Sequence, residues 1–82
     1  MNEFEYVIKD RNGIHARPAG LLAKKATEYD FDILLECKGK VADIKRLLAI
    51  MSMGIKMGDT VKLSAPEGKD ISELKSFFEN NL

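Results

Sequence analysis

The chain has 82 residues, with 13 lysines and arginines balancing 13 aspartates and glutamates, one histidine, one cysteine and no tryptophan. A chain of this size buries only about 60–65% of its unfolded surface, so a single domain around one modest core is expected over residues 1–82. The neutral balance argues against nucleic acid as a main partner, and one Cys37 with one His15 is too few for a disulfide or a structural zinc site, so neither metal nor cofactor is expected.

The stretch Met1-Asn2-Glu3-Phe4-Glu5 is acidic where a signal peptide would be basic, and no apolar run approaches the roughly 20 residues of a membrane span. A cytoplasmic protein without membrane insertion is therefore the expectation. From Glu3 to Lys9 the sequence alternates, with Phe4, Tyr6 and Ile8 on one side and Glu3, Glu5 and Lys9 on the other, which describes a strand buried on one face. Asp10 to Gly13 ends it, and Asn12-Gly13 is a turn dipeptide. Pro18 and the alanine- and leucine-rich run behind it mark a helix's first turn. The helix is expected from about Ala16 to Glu28, with Ala19, Leu22, Ala23 and Ala26 toward the core and Lys24 and Lys25 outward.

His15 then sits at or just before the start of that helix. Proline is tolerated there because first-turn N–H groups have no partner inside the helix, and the remaining amides, Ala16 and Arg17, point out past its end. An anion held on them meets the positive end of the helix dipole and the guanidinium of Arg17. The same dipole disfavours an imidazolium by about 0.3–1 kcal/mol, while a neutral ring nitrogen is a competent nucleophile. A solitary histidine before a helix is more often an exposed turn residue. Here the neighbouring arginine and open amides suit a histidine that takes up a phosphoryl group and gives it away.

Phe31, Ile33, Leu35 and Cys37 alternate as a second strand, Lys38-Gly39 turns, and Lys40 to Asp43 returns as a short third strand. Cys37 reads as a small apolar core residue rather than a reactive thiol. Ile44 to Met53 reads as a helix with almost no polar face, and in so small a domain one side of it must meet water. Ile50 and Met53 are expected inward, with Leu47, Leu48 and Met51 as an exposed patch for partners; the alternative is a merely apolar core helix. Gly54 closes it. Val61, Leu63 and Ala65 form a fourth strand that Pro66-Glu67-Gly68 stops. Asp70 with Glu73 resembles a capping box, and Ile71, Leu74, Phe77 or Phe78, and Leu82 give the last helix its core stripe. The order is βαββαβα, an α+β arrangement in which three helices cover one side of a four-stranded antiparallel sheet.

Gly13-Ile14-His15-Ala16-Arg17-Pro18 resembles the active-site motif of HPr, the histidine-containing phosphocarrier family of the bacterial sugar phosphotransferase system. Ile50-Met51-Ser52-Met53-Gly54-Ile55 resembles that family's second-helix signature, and the resemblance runs over essentially the whole chain. It implies the HPr open-faced sandwich and a carrier rather than an enzyme. By the same resemblance His15 would accept phosphate on Nδ1 from enzyme I, the phosphoenolpyruvate-dependent kinase, and deliver it to IIA domains of sugar permeases. Arg17 would neutralise phosphate charge, the amides of Ala16 and Arg17 would bind it, and Pro18 would fix the helix start. Gly20, Lys24, Arg46, Leu47, Leu48 and Met51 would form the docking surface of a monomer. Two alternatives remain open: a paralogue serving a regulatory, nitrogen-type branch, or a module that binds a regulator without chemistry.

One departure from the family bears on control. Many relatives from Gram-positive bacteria carry a regulatory serine directly after the lysine that opens the second helix, and here Lys45 is followed by Arg46. Without a hydroxyl, serine-phosphorylation control is in doubt, and Ser52 occupies a different position. Arginine is also a poor helix cap, so Asp43 is expected to compensate by capping or by pairing with Arg46.

Overall fold

The alternating stretches become the strands of one sheet in the computed structural model, which describes all 82 residues. β1 (Glu3–Val7), β2 (Leu34–Cys37), β3 (Lys40–Asp43) and β4 (Thr60–Ser64) pair antiparallel in the order β1-β4-β2-β3. With α1 (Ala16–Ala26), α2 (Leu47–Ser52) and α3 (Ser72–Asn81) they complete βαββαβα, the helices lying on one face of the sheet. Register explains that one-sidedness. Phe4 and Leu35 both stand opposite Leu63, and Tyr6 opposite Val61, so these side chains share the covered face. On the other face Lys62 stands opposite Glu5 and Glu36 in register, and its Nζ lies 4.0 Å from Glu3 Oε1, an exposed ion pair worth about 0–1 kcal/mol.

Phe78 of α3 plugs the core. Its fully buried ring meets Phe4 and Tyr6 edge-on at centroid distances of 5.9 and 5.7 Å. Phe77 is only half-buried, which decides which of the two phenylalanines belongs to the core stripe. Cys37 is buried among apolar groups, and that burial pushes its thiol pKa up, away from reactivity.

Several boundaries fall short of the alternation and periodicity in the sequence, each for a local reason. β1 stops at Val7, and the amides of Lys9 and Asp10 turn to the Leu82 carbonyl oxygen at 2.6 and 2.7 Å. α1 ends at Ala26 rather than Glu28, because the Thr27 hydroxyl donates to the Lys24 carbonyl at 2.6 Å. β2 begins at Leu34, and the Phe31 ring packs edge-on with Tyr29 at 5.5 Å ahead of the ladder. α2 begins at Leu47 rather than Ile44: the buried Ile44 donates its amide to the Ile33 carbonyl at 3.1 Å. Asp43 neither caps α2 nor pairs with Arg46. Its carboxylate accepts the Lys45 N–H at 2.8 Å one turn too early, leaving Arg46 as an N-cap with no side-chain bond.

The expected capping box at α3 is also different. Asp70 Oδ1 accepts the hydroxyl and backbone N–H of Ser72 at 2.6 and 3.0 Å, the N-cap position falls to Ile71, and Glu73 reaches Lys25 Nζ at 3.4 Å instead. The Ser72 hydroxyl first, then the Ser72 N–H and the chain's amino group, hold the Asp70 carboxyl down at about 2 from its ordinary 3.8. A depressed carboxyl stabilises the folded state above its unfolded value, and the contribution disappears as pH falls through the folded one. Denaturant midpoints should therefore drop between about pH 4 and 2, and less so in Asp70→Asn, which keeps the acceptor oxygen but cannot lose a charge.

Candidate functional site

His15 is the N-cap of α1. Its backbone is extended, at φ −97° and ψ −175°, and its side chain makes no capping bond, so the ring is left to other work. The first closed turn is Ala19 N–H to the His15 carbonyl at 3.0 Å. Pro18 has no N–H to offer, and the amides of Ala16 and Arg17 have no partner within the protein. No acidic residue occupies this first turn, and Arg17 forms no ion pair with any carboxylate of the chain. The His15 side chain is 38% exposed. An accessible imidazole thus stands beside two free N–H donors and a free guanidinium, an arrangement that can hold a covalently attached anion.

The loop carrying His15 is braced from two directions. Gly13 has φ +65°, donates its amide to the Asp10 carbonyl at 3.0 Å, and lies so close to the segment after α2 that an added Cβ would sit 2.1 Å from the Ile55 oxygen. Ile14 is buried and donates to the Ile55 carbonyl at 3.2 Å. These contacts fix where α1 begins.

A shallow cleft of about 200 Å³ opens beside the ring. His15, Arg17, Pro18 and Leu21 line it together with Asp10 and, from the end of α3, Asn80 and Asn81. The motif anticipated the first three. Leu21, Asp10 and the asparagines escaped it. Asp10 was readable only as the end of a strand, although the Asn-Gly turn between it and His15 is a device that folds the chain back. The asparagines arrive by tertiary packing of α3, for which local sequence has no signal.

The remaining residues of interest lie on α1 and α2, which pack against each other. Lys24 is exposed on α1, and Gly20 has open space where a Cβ would stand, with nothing within 4 Å. On α2, Ile50 and Met53 are buried, whereas Leu47, Met51 and especially Leu48, at 78%, are exposed next to the exposed Arg46. Exposed apolar side chains on so short a helix form a small apolar patch beside α1. Leu48→Asp should change unfolding stability by no more than about 0.5 kcal/mol while weakening partner binding, a difference that thermal melts and a binding titration separate. A large fall in melting temperature would instead make Leu48 a core residue. No helix is long and apolar enough to cross a membrane.

Comparison with known proteins gives the same region a context. A family model described as the PTS HPr component phosphorylation site matches residues 2–80. Among solved structures, a histidine-containing phosphocarrier protein of Mycoplasma is 30% identical with a TM-score of 0.82, covering 96% of this chain and 89% of its own. HPr-C-His from Thermoanaerobacter tengcongensis is 38% identical at a TM-score of 0.80, covering 98% of this chain and 89% of its own. A phosphocarrier protein HPr from Bacillus anthracis is 30% identical at 0.81, covering 98% and 95%.

Proposed function

We propose a function that starts from what this chain is: it belongs to the HPr family, the phosphocarriers of the bacterial phosphotransferase system, and is itself not an enzyme. The phosphoryl group enters on Nδ1 of His15. Enzyme I, charged by phosphoenolpyruvate, docks against α1 and α2; the Nδ1 lone pair attacks phosphorus, and the bond to the donor nitrogen breaks with its electron pair staying on the donor. IIA domains of sugar permeases then repeat the step in the opposite sense, taking the group from His15. The observation that carries this reading is the pair of unpartnered amides, Ala16 and Arg17, beside an accessible imidazole at a helix start.

Each charge-assisted bond from those amides or the guanidinium is worth about 1.5–3 kcal/mol, enough to orient a phosphoryl group without sealing it in. Donor and acceptors share one surface in turn, so contacts through Gly20, Lys24, Arg46, Leu47, Leu48 and Met51 have to be small and short-lived. Arg46 has no hydroxyl, which supports a carrier outside serine-kinase control. The protein acts as a cytoplasmic monomer in this scheme.

The test is incubation with phosphoenolpyruvate and enzyme I. One acid-labile phosphoryl group per chain, passed on to a IIA domain, is the expected result; no uptake would remove the proposal. Arg17→Glu replaces the anion's partner with a like charge and should slow acceptance on the order of 10–100-fold, with little change in melting temperature. Unchanged transfer would contradict the anion site.

A further inference from the structure

Asp10 lies outside the motif, yet the fold holds it more firmly than an ordinary turn residue. Its N–H donates to the Leu82 carbonyl oxygen at 2.7 Å, its own carbonyl accepts the Gly13 amide at 3.0 Å, and its Oδ1 accepts the Asn12 N–H at 2.8 Å. With three of its polar groups committed, the second carboxylate oxygen has one direction left. Oδ2 lies 3.7 Å from Nε2 of His15 and is within ion-pair distance of no other cation. Asp10 is also the one acidic side chain lining the cleft beside the ring.

We propose that Asp10 is a positioning residue for phosphoryl transfer, holding the proton of His15 on Nε2 and facing the charge that appears on the ring when Nδ1 is phosphorylated. The proposal rests on the carrier reading above. Before transfer, a carboxylate beside Nε2 favours the tautomer with N–H on that side, which leaves the Nδ1 lone pair free to attack. During transfer the Nδ1–phosphorus bond forms, the donor nitrogen–phosphorus bond breaks with its electrons remaining on the donor, and no proton moves. The His15 ring then carries phosphorus on one nitrogen and hydrogen on the other, a net positive ring. At 3.7 Å the contact is too long for a hydrogen bond in the resting protein. A small ring rotation shortens it once the ring is cationic, as contacts of this kind tighten in the reacting state. Arg17 and Asp10 thus divide the labour, the guanidinium answering the phosphate and the carboxylate answering the ring.

Asp10→Asn keeps the shape and the acceptor for Asn12 while removing the charge. The phosphoryl-exchange equilibrium with enzyme I should shift about tenfold toward the donor, with an unchanged melting temperature and partial recovery in Asp10→Glu. A second measurement needs no variant: NMR of the phosphorylated wild type should show an Nε2–H signal slowed in exchange with water. An Asp10→Asn equilibrium equal to that of the wild type, or an Nε2–H exchanging as freely as in a phosphohistidine peptide, overturns the role of Asp10 and leaves the carrier reading standing. A wild type that takes up no phosphoryl group overturns both.

Discussion

The His15→Ala protein will accept no phosphoryl group from enzyme I, yet unfold within about 1 kcal/mol of the wild type. Both halves follow from the same position. His15 is the chain's sole histidine, so no neighbouring imidazole can substitute for it, and alanine has no lone pair to attack phosphorus. Its ring is partly exposed and makes no capping bond, so the fold asks little of it. Intact mass after incubation with enzyme I and phosphoenolpyruvate reads the first half, and a denaturant titration the second. Residual uptake would mean another acceptor, and a collapse in stability would mean that the ring belongs to the scaffold.

Gly13→Ala will do the reverse, damaging the fold and dragging function down with it. A left-handed φ costs an alanine about 1–2 kcal/mol. The new Cβ would also stand 2.1 Å from the Ile55 oxygen and 2.8 Å from the Lys56 Cα, backbone atoms that cannot rotate aside, and overpacking of that kind costs about 1–3 kcal/mol more. A loss of roughly 2–5 kcal/mol is therefore expected, a large share of the 5–15 kcal/mol typical of a whole domain. Relief can come only by moving the loop away from the segment after α2, which pulls on the Ile14 to Ile55 bond and displaces His15. Acceptance rate should fall together with the unfolding midpoint. Gly20→Ala, where the added methyl meets nothing within 4 Å, is the control and should leave the midpoint no lower.

The contrast between these two residues also marks what the amino-acid sequence makes legible. His15, Arg17 and Pro18 are local: a turn dipeptide, a helix start and a basic neighbour lie within seven positions, and short-range rules place them. The one-faced strands are legible for the same reason, since Phe4, Tyr6 and Ile8 announce their common side by spacing alone. The helix ends are less so. Asp43 and Asp70 are both plausible caps on paper, but each spends its carboxylate on the amide two residues on, making a tight turn before the helix begins. Ile44 looks like the first apolar position of α2 and is instead a core residue of the preceding turn. Asn80 and Asn81 are beyond reach because their place beside the ring depends on α3 laying its end against the strand-to-helix loop, a contact between residues some 70 positions apart in sequence, whereas Asp10 is brought to the ring by a local turn through Asn12 and Gly13.

The structure puts its weight on two open amides at the start of α1, and NMR can watch them directly. When the protein is phosphorylated by enzyme I, the amide protons of Ala16 and Arg17 should move downfield further than any others, as hydrogen bonds to the phosphoryl oxygens form. If the group attaches while those two signals stay where they were in the unphosphorylated protein, the helix start does not hold it, and the account given for His15 is wrong.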